Sequence, residues 1–234
     1  MSMGNKKVAI LQSNYIPWKG YFDLINMVDE FIVYDDVQYT KNDWRNRNRI
    51  KTRNGIEWIT IPVYNAALGQ KIRDTKIADS KWNRKHWKKL QVNYARSASF
   101  EELKDDIEEK YMKIDCVFLT DINLSFIQFI NSILGIKTKI SFSSDYDYKG
   151  NNKNERLVDL LKSSKADIYY SGPSAKDYID EELFNNENIE IQWMDYSGYP
   201  EYKQLYPPFE HGVSIIDLIF NTGINASKYM KSFC

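Results

Sequence analysis

The sequence predicts an α/β fold with a doubly wound, mostly parallel sheet. A single domain over residues 1–234 carries it, with a helical insertion at about 80–135. Three observations lead there. Short apolar runs alternate with segments whose apolar residues recur every three or four positions. The loops that follow those runs are polar. No internal repeat, low-complexity tract or linker divides the chain. Strands that alternate with helices pair in parallel through right-handed crossovers.

Val8-Ala9-Ile10-Leu11 is the first buried-strand run, followed by a loop from Gln12 to Gly20 and a helix from Tyr21 to Val28. Phe31 to Tyr34 is the second strand and ends in Asp35-Asp36. Trp58 to Val63 is the third, and Pro62 marks it as an edge or a strand end, because proline cannot donate to a ladder. A helix opens at Ser80, with Trp82, His86, Leu90 and Tyr94 four residues apart. Two more follow at 101–113 and 116–134, striped by Leu103/Ile107/Tyr111 and Leu119/Ile122/Phe126/Ile130/Ile133, with Gly135 as the stop. Beyond them lie a strand at 137–142, a helix near 153–164, a strand at 167–170, a helix near 174–184, a strand at 189–193 and a last helix at about 214–221.

An apolar share of 43% is enough for a real core, and 27% charged residues speak against disorder. No run approaches a membrane span, and Met1 to Lys7 lacks an apolar signal segment, so the expectation is a cytoplasmic protein with no membrane partner. Two cysteines, Cys116 and Cys234, make no disulfide framework. Zero net charge hides an asymmetry: residues 41–96 carry 15 Lys and Arg against 4 Asp and Glu, and the remainder is equally acidic. Trp44, Trp58, Trp82 and Trp87 lie in this basic band, which suits an anionic partner or, alternatively, a solvated face beside acidic neighbours.

Open α/β sheets bind ligands beyond the carboxyl ends of their strands. That rule selects Gln12-Ser13-Asn14-Tyr15, Asp35-Asp36, Ser143-Ser144 and Ser171-Gly172-Pro173-Ser174. In the first of these regions Gly20 would let backbone approach a phosphate at a helix N-terminus. Adenylyl-transferring enzymes with this layout carry His-x-Gly-His there, but Trp18 and Tyr21 fill the histidine positions, which argues against plain nucleotidyl transfer; the plainer reading is that both pack the turn. Adjacent carboxylates on a strand face opposite ways, so one of Asp35 and Asp36 at most faces a site. Asp36 is expected to be that one, near the first-strand loop, as base or as anchor for a substrate amine; a turn or cap is the alternative. In DWRNRNRIKTRNG, an extended chain would put Arg45, Arg47 and Arg49 on one side to grip phosphate, leaving Asn46 and Asn48 for neutral groups. His86 and His211 are the only histidines and no Cys/His group has zinc spacing, so no metal site is expected. His86 reads as a packed histidine, and Ser214-x-x-Asp217 as a capping box.

The blocks ILQSNYIPWKGYFDLI, YDDVQYTKNDWRNRNRIKTRNG, IYYSGPSAKDYI and GYPEYKQLYPPFEHGVSIIDLIFNTG resemble, in order, those of the WbqC-like family, from about Val8 to Gly223. The resemblance implies a Rossmann-like enzyme of surface-polysaccharide (O-antigen) biosynthesis that attaches glycine or another acyl group to an amino sugar. Its matching positions are Gln12, Asn14, Tyr15, Pro17, Trp18, Gly20 and Tyr21, then Asp35, Asp36, Arg45, Asn46 and Arg47. They continue through Ser171, Gly172 and Tyr178 to Tyr202, Gln204, Ser214, Asp217 and Gly223. The family usually has proline after Gln12; Ser13 stands here and is expected to loosen the loop. The implied partners are a nucleotide-sugar substrate and an acyl or aminoacyl donor. Asp36 would be the base, and backbone amides near Ser171-Gly172 the oxyanion donors. No cofactor is specified, and ATP and CoA both remain open. The rival functions are an ATP-dependent adenylating enzyme and, less favoured by the residues, a nucleic-acid-binding module on the basic band.

Overall fold

Five parallel strands, in the order β5-β2-β1-β6-β7, form the centre of the protein, as a computed structural model covering residues 5–64 and 67–233 shows. The strands are β1 (Lys7–Leu11), β2 (Glu30–Val33), β5 (Lys139–Phe142), β6 (Ile168–Ser171) and β7 (Glu190–Trp193). Every pairing between them is parallel. From β1 the chain moves outward to β2 and β5, then returns across β1 to β6 and β7, which is the doubly wound arrangement.

Alternation along the strands sorts two cores. Ala9, Phe31, Val33, Ile168 and Tyr170 face a large cluster shared with helix α1 (Lys19–Asn26), α2 (Trp82–Tyr94), α3 (Phe100–Lys113), α4 (Leu119–Leu134) and α7 (Ile215–Thr222). Val8, Ile10, Ile32, Tyr34 and Tyr169 face a smaller one under α5 (Lys153–Ser163) and α6 (Glu181–Asn186). Crossovers moving one way across the sheet lie on one face, and those moving back lie on the other, as right-handed connections require.

Several boundaries differ from expectation. Helix α1 starts two residues early, at Lys19, so Gly20 lies inside its first turn. The third predicted strand is one arm of a hairpin outside the main sheet: β3 (Arg47–Thr52) pairs antiparallel with β4 (Gly55–Thr60), which ends before Pro62. The helix expected at 174–184 is broken into a 3-10 turn at Pro173–Asp177 and α6, whose N-cap Asp180 accepts from the Leu183 amide. Gly135 ends α4 with φ of 74°, a left-handed conformation that favours glycine. No helix among the described residues is long and apolar enough to cross a membrane. Cys116 is a half-buried free thiol, while Cys234 lies outside the described residues.

Candidate functional site

Strands β1 and β6 are neighbours whose following chains leave in opposite directions, and a cavity of about 630 Å³ opens beside their carboxyl ends. Gln12 after β1 and Ser171-Gly172 at the end of β6 line it, with Asp36 after β2 and the tyrosines Tyr34, Tyr178 and Tyr196. Two cations, Lys153 and Arg156 on the first turn of α5, complete the wall. Arg156 donates from Nε to the Gly150 carbonyl, and Lys153 lies 5.6 Å from the Tyr178 ring centre. Nothing in the sequence marks these two cations beyond their place on an amphipathic helix, where charge is ordinarily solvated.

The two carboxylates after β2 face different ways: Asp36 lines the cavity, but it is Asp35 that meets the first-strand loop, where Asp36 was expected. Asp35 meets the first-strand loop: it accepts the Ser13 amide at 2.8 Å and the Ser13 hydroxyl at 2.6 Å, and Thr120 donates to the same carboxylate at 2.6 Å. Burial raises its pKa against these hydrogen bonds. Asp36 turns toward β5, accepting the Ser143 hydroxyl at 2.6 Å and pairing with Arg73 and, at 3.5 Å, Lys71. Burial alone would raise its pKa, but the Ser143 hydrogen bond and the two cations outweigh it and hold the carboxyl below its ordinary range. Asp36 borders both the switch-point cavity and a second recess that Asp35, Arg73 and Ser143 share.

Ser13 does not loosen its loop. It is fully buried, its two bonds to Asp35 fix it, and Asn123 donates to its hydroxyl at 3.0 Å. Three residues further along the loop, Ile16 has φ of 36°, a costly conformation for a β-branched residue. Three hydrogen bonds hold that turn: Asn48 Nδ2 donates to the carbonyls of Tyr15 and Ile16 at 3.0 Å each, and the Ser214 hydroxyl donates to Ile16 O at 2.7 Å. Such strain, held by residues from two distant segments, is found most often in loops shaped for a ligand.

Gly20 serves packing in this loop. It sits at the N-terminal end of α1, but a Cβ there would collide with the Trp18 indole, so the missing side chain admits that ring. Tyr21 is buried and donates to the Gln12 carbonyl at 3.0 Å. Tyr15 is buried deeper still, its hydroxyl bonded to His86 Nδ1 at 2.9 Å and to the Tyr111 hydroxyl at 2.8 Å. It holds the loop from beneath, with no exposed surface for a ligand. His86 also bonds the Thr60 carbonyl at 3.1 Å, and burial pulls its pKa to about 4, so it is the packed, neutral histidine that its place on the helix stripe indicated.

The arginine run divides. Arg45, in a turn before β3, donates to the side-chain oxygens of Asn14 and of Gln12, the latter at 3.3 Å. Arg47 and Arg49 share one face of β3. Arg47 lies 4.1 Å from the Trp58 ring and bonds Asn42, while Arg49 lies 5.5 Å from the Trp44 ring. Asn46 and Asn48 point the other way and are buried, bonding backbone carbonyls and not a neutral ligand group; Asn46 bonds Ile61 O at 2.8 Å. Gln204 is likewise spent inside the protein, on Asp217 at 2.9 Å and the Glu210 carbonyl at 2.8 Å. Asp217 is no capping-box partner: Ser214 caps α7 through the Ile216 amide, while Asp217 is a buried acceptor for Tyr94, Tyr202 and Gln204. Burial raises its pKa against those bonds. Of the residues singled out in sequence, Gln12, Asp36, Ser171, Gly172, Ser174 and Tyr178 line the switch-point cavity. Asn14, Trp18 and Arg49 line a separate groove, and Arg45 stands between the two. Among the described residues no group of three or more His, Cys, Asp or Glu side chains is arranged to hold a metal ion.

The WbqC-like protein family matches residues 12–229. The chain is 49% identical over 227 residues to the uncharacterized protein Rv1507c of Mycobacterium tuberculosis, covering 97% of this chain and 98% of that one. No solved structure matches. With the family blocks spanning the strained loop, the arginine run and the β6 end alike, the chain belongs to the WbqC-like protein family.

Proposed function

We propose that the protein is a transferase that takes a nucleotide-linked amino sugar into the switch-point cavity and places an acyl or aminoacyl group, glycyl among them, on its amine. The observation that supports this reading is one cavity in which two cations and an ionised carboxylate stand among tyrosine rings at the carboxyl ends of β1 and β6. Lys153 and Arg156 suit a pyrophosphate, the tyrosine rings suit base and sugar faces, and Asp36 suits an ammonium group. A carboxylate whose pKa is lowered by neighbouring donors and cations is a weaker proton acceptor than usual, so Asp36 is assigned as the amine's anchor more than as its base. Backbone amides around Ser171-Gly172 are the candidate donors to the carbonyl oxygen of the intermediate. Surface-polysaccharide assembly is the context that the family resemblance suggests for such a product.

Titration calorimetry with nucleotide sugars bearing a free amine, an acetylated amine or a hydroxyl tests the reading. The free amine should bind tightest, Asp36→Asn should erase that preference, and Arg156→Gln should weaken all three. If no nucleotide sugar binds, the proposal fails.

A further inference from the structure

A groove of about 270 Å³, distinct from the switch-point cavity, lies between the first-strand loop and the β3–β4 hairpin. Two indoles line it, Trp18 from the loop and Trp44 from the approach to β3, the latter 39% exposed. Arg49 lies beside them. Its Nε is buried without a partner, and no carboxylate among the described residues lies within 4.0 Å of its guanidinium. Its guanidinium lies 5.5 Å from the Trp44 ring, and the nearby Glu210 carboxylate accepts the Gly212 amide instead of forming an ion pair with it. Gly212 closes the groove, and a side chain there would collide with the guanidinium, so the glycine preserves its place.

A half-buried guanidinium without an ion pair, in a groove lined by two flat rings, calls for a particular ligand. The charge requires an anionic oxygen, since desolvating it without a partner is costly. The indoles offer faces on which a planar ring can stack. Phosphate and flat ring together describe a nucleotide. The groove is also tied to the cavity: Gln12 lines the cavity, Asn14 lines the groove, and Arg45 bonds the side-chain oxygens of both.

We infer that this groove binds the nucleotide portion of the activated acyl donor, its ring against Trp44 and Trp18 and a phosphate oxygen on Arg49. The inference rests on the transferase reading, which requires two substrates to meet, and the two sites adjoin at the Gln12-to-Asn14 loop. In the transfer, the sugar amine forms a bond to the acyl carbon while the bond from that carbon to its carrier breaks. The carrier departs with the bonding pair, as a phosphate if the donor is an acyl adenylate or as a thiolate if it is an acyl-CoA. The amine's proton passes to water.

Tryptophan fluorescence and calorimetry with AMP and with CoA, which separate the two donor types, test the inference on the full chain. One of the two should bind, and Arg49→Gln and Trp44→Ala should each weaken it at least tenfold. Trp44 is exposed enough for its replacement to leave the fold intact, which a circular dichroism melt checks. Nucleotide-sugar binding, measured in parallel, should be unchanged in both variants. The inference is overturned if neither AMP nor CoA binds, or if Arg156→Gln removes their binding while Arg49→Gln does not. Binding of AMP or CoA at Arg49 without any nucleotide-sugar binding would support the groove and sink the transferase reading, so the two fail separately.

Discussion

Ser13 gives Asp35 two hydrogen bonds at once, from its amide at 2.8 Å and from its hydroxyl at 2.6 Å, and so ties the loop after β1 to the end of β2. Ser13→Ala removes the hydroxyl bond and leaves a buried carboxylate short of a donor, which should cost about 1–3 kcal/mol. In an Asp35→Asn background the same change should cost much less. Urea denaturation of the four proteins measures the coupling; equal costs in both backgrounds would mean that the bond contributes nothing.

Gly20 is expected to matter through Trp18. Gly20→Ala places a methyl group against the indole and should destabilise the protein by about 1–3 kcal/mol, as overpacking does. Adding Trp18→Ala should recover part of that loss. A phosphate-binding glycine would behave otherwise: the alanine variant would keep its melting temperature and lose ligand affinity.

His86 supplies a pH dependence whose sign follows from burial. Its pKa falls from about 6.5 unfolded to about 4 folded, so between those values the unfolded chain binds the extra proton. Its contribution is intact above about pH 6.5 and is lost as pH falls toward 4, by up to about 3 kcal/mol. Asp35 and Asp217, with raised pKa values, act in the opposite sense, so the measurement is a difference: the stability of the wild type minus that of His86→Gln should decline from pH 7 to pH 4. A flat difference would show that His86 is protonated in place.

Asp36 separates anchor from base. Asp36→Asn should reduce affinity for the amine-bearing nucleotide sugar by about tenfold to a hundredfold with turnover at saturation little changed. A loss of two to four orders of magnitude in turnover, with affinity kept, would restore the base assignment.

Strong apolar patterns made most of the sheet and the helices legible. Val8 to Leu11 and the stripes of α3 and α4 announce themselves because apolar burial builds them. β3 was hidden because its buried face includes Asn48, with Asn46 just before it, and both are satisfied by backbone hydrogen bonds with no apolar signature. The facing of Asp35 and Asp36 could not be read, since adjacency fixes only that they diverge. Lys153 and Arg156 escaped notice because a cation on a helix looks the same whether it meets water or a cavity.

The walls of the switch-point cavity come from residues 10–38 and 153–196, brought together by a pairing of β1 with β6 across most of the chain's length. Contacts of such long range form late, after the loop-closure entropy between them has been overcome. A chain still leaving the ribosome can complete β1 and α1 and yet have no pocket until β6 emerges and docks. A ligand that spans both walls would therefore bind only the finished sheet and act as a clamp on it, raising the resistance of β6 and β7 to local opening and to proteolysis.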